Sequence, residues 1–145
     1  GTLRRYTGLQ FEVYHAPFTA TDFIAPSIWA VTAISSTNRL DFVVWLEDTA
    51  EAGDTTAGIA RVVMLYQLDD ETTWRKAELT YQPNPNGVGR AVGRIAPIKG
   101  RISYFPQAVD HTGNVALALN HGMPFTAVEM GSNPTIYLPL VMRNY

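Results

Sequence analysis

The sequence contains no cysteine, which excludes disulfide bonds and thiolate zinc sites. It also has no run of about 18 apolar residues, the length that a membrane-spanning helix needs, so no membrane span is expected. The chain begins at Gly1 without the charged and apolar regions of a signal peptide, although such a signal could lie upstream in a longer protein. A chain of this length can bury a core that needs no covalent staple.

Charge of either sign is scarce. Eleven Lys and Arg residues against 13 Asp and Glu residues give a net charge of −2, and the basic residues are scattered, so no nucleic-acid interface is expected. Hydrophobic residues make up 46% of the chain and aromatic residues 11%, which excludes an intrinsically disordered protein. The 145 residues fit one domain. The many Thr, Val, Tyr and Ile residues favour strands over helices.

Apolar and polar residues alternate along most of the chain, a pattern that predicts about nine short strands. The clearest is residues 40–47, in which the even-numbered apolar residues share one face. We expect strands or strand pairs at residues 9–15, 28–34, 40–47, 59–68, 73–82, 89–96, 101–116, 125–129 and 136–142. Turn signals separate them at intervals of roughly 8–12 residues, which is typical of a β-sandwich or barrel.

A hairpin at residues 101–116 is the best-defined element. Asp110, Gly113 and Asn114 supply turn chemistry, and we expect a positive φ at Gly113. Pro106 has no N–H, so the first strand must be distorted there or unpaired on one side. Tyr104 either directs its hydroxyl back to nearby backbone, as in a tyrosine corner, or is a plain core aromatic.

This hairpin carries a resemblance to a known family. Its residues are Tyr104-Phe105-Pro106-Gln107-Ala108-Val109-Asp110 followed by Gly113-Asn114-Val115. They resemble the corresponding hairpin of immunoglobulin-like or fibronectin type III-like modules in secreted bacterial proteins. Further stretches agree with such a module in order, namely Asp22 with residues 25–28, residues 58–62, and Trp74 with Leu79. Residues 137–141 are similar to the carboxyl ends of exported Chloroflexi-type proteins.

The resemblance and the strand pattern together imply an all-β, antiparallel immunoglobulin-like β-sandwich with extra N-terminal and C-terminal strands. We divide the chain into an N-terminal extension with one strand (residues 1–21), the sandwich (22–130), and a C-terminal strand or tail (131–145). Apolar residues fill residues 134–143, which we expect to dock as an edge strand beside residues 9–15. The alternative is a sorting tail recognised by export machinery.

No catalytic residue is predicted. His15, His111 and His121 lie at strand ends or turns, and we expect them on the surface. Ser103, Asp110 and His111 are close in sequence, but no Gly-x-Ser-x-Gly motif accompanies them. The chain is therefore not expected to be an enzyme or to hold a cofactor.

An acidic loop is the candidate metal site. It contains Glu47, Asp48, Glu51 and Asp54, and carboxylate oxygens are the ligands that calcium prefers. The spacing does not follow the Asp-x-Asp-x-Asp-Gly pattern of calcium loops. We therefore expect a solvated loop without a tight metal site.

Trp29, Trp45 and Trp74 could form an aromatic platform for a ligand. Trp29 and Trp45 lie opposite the better core face of their strands, so the N-terminal segment either covers them, as we expect, or leaves them exposed. The resulting hypothesis is a non-catalytic module of an exported, secreted or cell-surface protein. It would act as a spacer, stabilising or adhesive domain for a neighbouring domain or a cell-surface partner. The alternative is a carbohydrate-binding β-sandwich that uses exposed aromatic residues.

Overall fold

The structure is a computed structural model that describes residues 12–16, 19–50, 55–69, 71–128 and 136–137. The described residues form strands and turns, as predicted, and contain no helix. The strands are β1 (Ser27–Ser36), β2 (Arg39–Glu47), β3 (Ile59–Leu68), β4 (Arg75–Asn84), β5 (Gly87–Ile95), β6 (Arg101–Asp110), β7 (Val115–Leu117), β8 (Phe125–Val128) and β9 (Ile136–Tyr137). The described part of the chain holds nothing with the length and hydropathy of a membrane-spanning helix.

The strands form one curled antiparallel sheet. Hydrogen-bonded neighbours follow the order β7-β6-β3-β4-β5-β2-β1-β9, and β8 also pairs with β6. The long strand β4 divides its pairing, because residues 75–79 pair with β3 and residues 80–84 pair with β5. Near the far end of the sheet, the Ser35 hydroxyl of β1 donates to the Val128 carbonyl oxygen of β8 at 3.1 Å. The sheet thus curls round until distant strands meet around a single core.

The strand faces that the alternation predicts to be apolar are buried in the core. The even-numbered residues of β2 are at most 1% exposed, whereas Trp45 between them is 40% exposed. Tyr104 on β6 packs between Phe42 and Phe125, with ring centroids 5.1 and 5.7 Å away. Burial raises the pKa of Tyr104, and none of the described residues accepts a hydrogen bond from its hydroxyl. Tyr104 is therefore the core aromatic of the two alternatives.

The hairpin explains how β6 accommodates a proline. Pro106 pairs in register with Met64 of β3, and its carbonyl oxygen accepts the Ala118 N–H at 3.2 Å. A strand residue directs its N–H and C=O to the same side, so the missing N–H of Pro106 faces the β7 and β8 side. On that side the edge strand is interrupted between Leu117 and Phe125. On that side Pro106 is paired through its carbonyl oxygen alone, so the loss of pairing is limited to the missing N–H.

The expected N-terminal strand is not formed by residues 12–15, and residues 9–11 lie outside the described part. Val13 is 83% exposed, so the alternation of this segment does not mark a buried face. Arg61 of β3 fixes the segment instead by donating to the Glu12 carboxylate and the Tyr14 hydroxyl. The segment therefore crosses the outer face of β3 and β6, where Val63 is buried despite pointing away from the core.

The described part of the C-terminal run is β9, and it does not pair with residues 12–15, the described part of its expected neighbour. It pairs with β1, with Ala33 opposite Tyr137 and Ile34 opposite Ile136. The reason is topological, because β2 occupies one edge of β1 and leaves the other edge available, while the N-terminal segment lies over another part of the sheet. The rest of the predicted strand over 134–143 lies outside the described residues.

Candidate functional site

Three aspartates from distant parts of the chain meet at one end of the fold. Asp22 precedes β1, Asp48 follows β2, and Asp110 ends β6. Carboxylate oxygens of the three lie within 4.8 Å of one another. Asp22 is 3% exposed and Asp110 2% exposed, and Asp48 is half-buried. Buried carboxylates require hydrogen-bond donors, so the surroundings of this aspartate cluster decide what it does.

Backbone N–H groups satisfy Asp22 and part of Asp48. The Asp22 carboxylate accepts the Ile24 N–H at 3.0 Å and the Ala57 N–H at 2.8 Å. Asp48 Oδ2 accepts the Gly58 N–H at 2.6 Å. These bonds fix the residues before β3 to the segment before β1 and to the end of β2.

Asp110 organises the hairpin turn. Its Oδ1 accepts the Thr112 N–H, the Thr112 hydroxyl and the Asn114 N–H at 2.8–2.9 Å. Its Oδ2 accepts the Asn114 side-chain amide at 2.8 Å, and the same amide nitrogen donates to the Asp22 carbonyl oxygen at 3.1 Å. Asp110 and Asn114 are turn-forming residues, as expected, and they also bind the hairpin to the segment before β1.

Asp48 is the least satisfied member of the cluster. Its Oδ1 is buried and has no hydrogen-bond partner among the described residues. Burial raises the pKa of Asp48, and the neighbouring Asp22 and Asp110 carboxylates raise it further, while the backbone N–H groups of Gly58 and Thr49 act in the opposite direction. The cluster therefore favours a proton on Asp48 more than water does.

Three carboxylates could contribute ligands to a divalent cation. Calcium takes about six to eight oxygen ligands. Here both oxygens of Asp22, both of Asp110 and one of Asp48 already accept hydrogen bonds. The backbone N–H groups that donate to the three carboxylates come from separate loops, so the cluster has the arrangement of a structural site that holds these loops together.

Ser103, Asp110 and His111, which are close in sequence, do not form a catalytic triad in the structure. Ser103 and Asp110 lie seven residues apart on β6, a separation of roughly 23 Å at about 3.3 Å per residue. The His111 backbone N–H donates to the Gly58 carbonyl oxygen at 3.0 Å. All three histidines are exposed, as predicted.

The three tryptophans do not share one surface. Trp29 is half-buried and its indole N–H donates to Glu47 at 3.0 Å. Trp45 is 40% exposed, so the expectation that it is covered is wrong, and residues 12–16 of the N-terminal segment lie over β3 instead. Trp74 is 39% exposed and packs against Phe105 of β6.

Each exposed tryptophan borders a groove. The groove beside Trp74 has a volume of about 440 Å³ and lies between this side chain and the N-terminal segment. The groove beside Trp45 has a volume of about 320 Å³ and lies along the β4–β5 hairpin. The two grooves belong to different strand neighbourhoods, because Trp45 lies opposite Arg90 of β5 and Trp74 contacts Phe105 of β6.

The aspartate cluster itself was missed by sequence reasoning. Asp48 was grouped with Glu47, Glu51 and Asp54 as one acidic loop, and the last two lie outside the described residues. A signal was present, because antiparallel alternation places the start of β1 and the ends of β2 and β6 at the same end of the fold. Acidic residues at those three positions could have been expected to meet.

Comparison of the chain with models of protein families, with curated proteins and with solved structures gave no match.

Proposed function

We propose that the chain is a non-catalytic, immunoglobulin-like β-sandwich module of an exported bacterial protein, acting as a spacer, stabilising or adhesive domain. The strand order is the observation that carries this proposal. In constant-type immunoglobulin domains one sheet has the order 1-2-5-4 and the other 3-6-7. Here β1-β2-β5-β4 is followed by β3-β6-β7.

The divided pairing of β4 supports the same interpretation. Its second half extends the β1, β2 and β5 sheet, and its first half extends the β3, β6 and β7 sheet. A strand shared in this way links two facing sheets into one hydrogen-bonded path. The strand β8 continues the edge begun by β7, since both pair with the same side of β6.

The non-catalytic part of the proposal rests on the aspartate cluster. Its oxygens accept backbone N–H groups from three loops, which is the arrangement of a structural tie. The exported bacterial setting rests on the resemblance of the hairpin and of residues 137–141 to secreted modules. A neighbouring domain or a cell-surface partner is the corresponding proposed contact.

Two measurements test this proposal. The purified chain should unfold in one cooperative transition without a partner and should turn over no ester, glycoside or peptide substrate. Turnover that is lost in Asp48→Ala would overturn the non-catalytic function. The full-length gene product should begin with a signal peptide, and a full-length protein retained in the cytoplasm would overturn the exported setting.

A further inference from the structure

We propose that the groove beside Trp74 binds an uncharged oligosaccharide. This inference goes beyond the spacer and stabilising functions, which need no ligand, and names a ligand class for the adhesive function. It would give the module an adhesive surface on the outer face of β3, β4 and β6.

The groove is built on the outer face of the sheet. Leu65 of β3 lies between Lys76 of β4 and Phe105 of β6 in the strand register. Trp74 stands at one side of this row, and the N-terminal segment with Glu12 stands at the other. The volume of about 440 Å³ falls within the range of roughly 300–1,000 Å³ typical of ligand pockets.

Trp74 offers a fixed aromatic surface. Its ring meets Phe105 in an edge arrangement, with centroids 5.1 Å apart and an interplanar angle of 63°, which restrains the indole. The side chain nevertheless remains 39% exposed. The C–H face of a sugar ring packs well on such a surface, because an aromatic ring face is apolar and carries partial negative charge.

Polar groups in the groove are open to a ligand. Among the described residues, none accepts a hydrogen bond from the Trp74 indole N–H, and none pairs with the side-chain amide of Gln107. The amide both donates and accepts, and the indole N–H donates. Sugar hydroxyls also donate and accept, so they complement both groups.

The charges of the groove cancel locally. Lys76 pairs with Glu12, and Arg75 pairs with Glu71. Hydrogen bonds from Lys76, Tyr14 and Arg61 lower the pKa of Glu12 to about 2, so this carboxylate is ionised at neutral pH. An anionic ligand would have to compete with carboxylates that the two cations already bind, which favours an uncharged saccharide.

The groove beside Trp45 provides the contrast. Its tryptophan is equally exposed, but the two side-chain amides that line it are already engaged. Gln82 accepts from Arg90 Nε at 2.7 Å, and the Asn84 amide donates to the Val88 carbonyl oxygen at 3.3 Å. Trp45→Ala is therefore a matched control that removes the same side chain from a groove whose two side-chain amides already have partners.

The test is affinity electrophoresis of the whole chain through gels containing neutral xylan, mixed-linkage β-glucan or galactomannan, with anionic alginate as a comparison. We expect at least one neutral polysaccharide to retard the protein. Trp74→Ala and Gln107→Leu should each weaken that retardation by about tenfold or more, and Trp45→Ala should not change it. Thermal melting of each variant confirms that the fold is retained.

Three results would overturn the site. The first is that none of the neutral polysaccharides retards the protein. The second is that alginate alone retards it. The third is that the variants fail to separate, because retardation persists in Trp74→Ala or is lost equally in Trp45→Ala. None of them would affect the module function, which is tested by cooperative unfolding and the lack of turnover.

Discussion

Gly113 lies directly against the backbone of His15. A Cβ atom on Gly113 would come within 3.1 Å of the His15 amide nitrogen and carbonyl carbon. Gly113 also has a φ of +89°, a conformation that side chains other than glycine rarely adopt. The turn of the β6–β7 hairpin and the N-terminal segment therefore meet at a position that only glycine fits.

Gly113→Val should destabilise the protein by more than the roughly 1 kcal/mol of an average point change, because the positive φ and the contact with His15 add. Gly122→Ala is the control for backbone strain, since Gly122 has a φ of +82° and no atom within 4 Å of an added Cβ. Urea unfolding of Gly113→Ala and Gly122→Ala separates the two effects. Equal losses in the two alanine variants would show that the contact with His15 contributes nothing.

Asp48→Asn should raise Tm at pH 7. The folded protein raises the pKa of Asp48, so its charged form is disfavoured, and the stability that it contributes falls as pH rises from about 3.9 through the raised value. An asparagine keeps an oxygen for the Gly58 N–H and carries no charge. The gain in Tm should therefore be larger at pH 7 than at pH 3.

Asp110→Asn is the comparison for that substitution. Both Asp110 oxygens accept hydrogen bonds, and Oδ2 faces the Asn114 amide, so an introduced NH₂ group would oppose a donor. We expect Asp110→Asn to destabilise by about 1–3 kcal/mol. A loss of Tm in Asp48→Asn similar to that in Asp110→Asn would contradict the unequal roles of the two carboxylates.

Calcium should not stabilise the protein appreciably. Five of the six oxygens in the aspartate cluster already accept hydrogen bonds, so a calcium ion would have to compete with these donors for the carboxylates. The measurement is Tm in millimolar calcium against Tm in EDTA. A calcium-dependent increase that Asp48→Ala abolishes would establish a metal site instead.

Truncation after Gly131 should destabilise the protein. It removes β9 and leaves the edge of β1 at Ala33 and Ile34 without a partner. We expect the free energy of unfolding to fall by roughly 1–3 kcal/mol, because the hydrogen bonds of two residue pairs are lost and the edge of β1 becomes exposed. Urea unfolding measures it, and an unchanged midpoint would favour the sorting-tail alternative.

The strands were predictable because alternation and turn residues depend only on neighbouring positions in the sequence. Alternation along residues 40–47 and 59–68 placed β2 and β3 within one residue at each end, and turn chemistry predicted the positive φ at Gly113. The missing hydrogen bond at Pro106 was also predictable, because proline lacks an N–H whatever its surroundings.

The contacts between distant segments were not predictable in this way. Val13 alternates as a strand residue would, yet its segment lies across the outer face of β3. Arg61 holds it there through Glu12, which is 49 residues away in sequence. Asp22 and Asp110 become a cluster only when the topology is known. The exposure of Trp45 likewise depends on which surface the N-terminal segment covers.

The central structural claim is that β4 pairs with β3 through its first half and with β5 through its second half, and the proposed immunoglobulin-like strand order rests on this division. Cross-strand backbone NOEs in the isotope-labelled protein test it most directly. The first half of β4 should show contacts to β3, as between Ala77 and Met64, and the second half to β5, as between Tyr81 and Ala91. NOEs that follow β5 along the whole of β4, with none between β4 and β3, would contradict the claim.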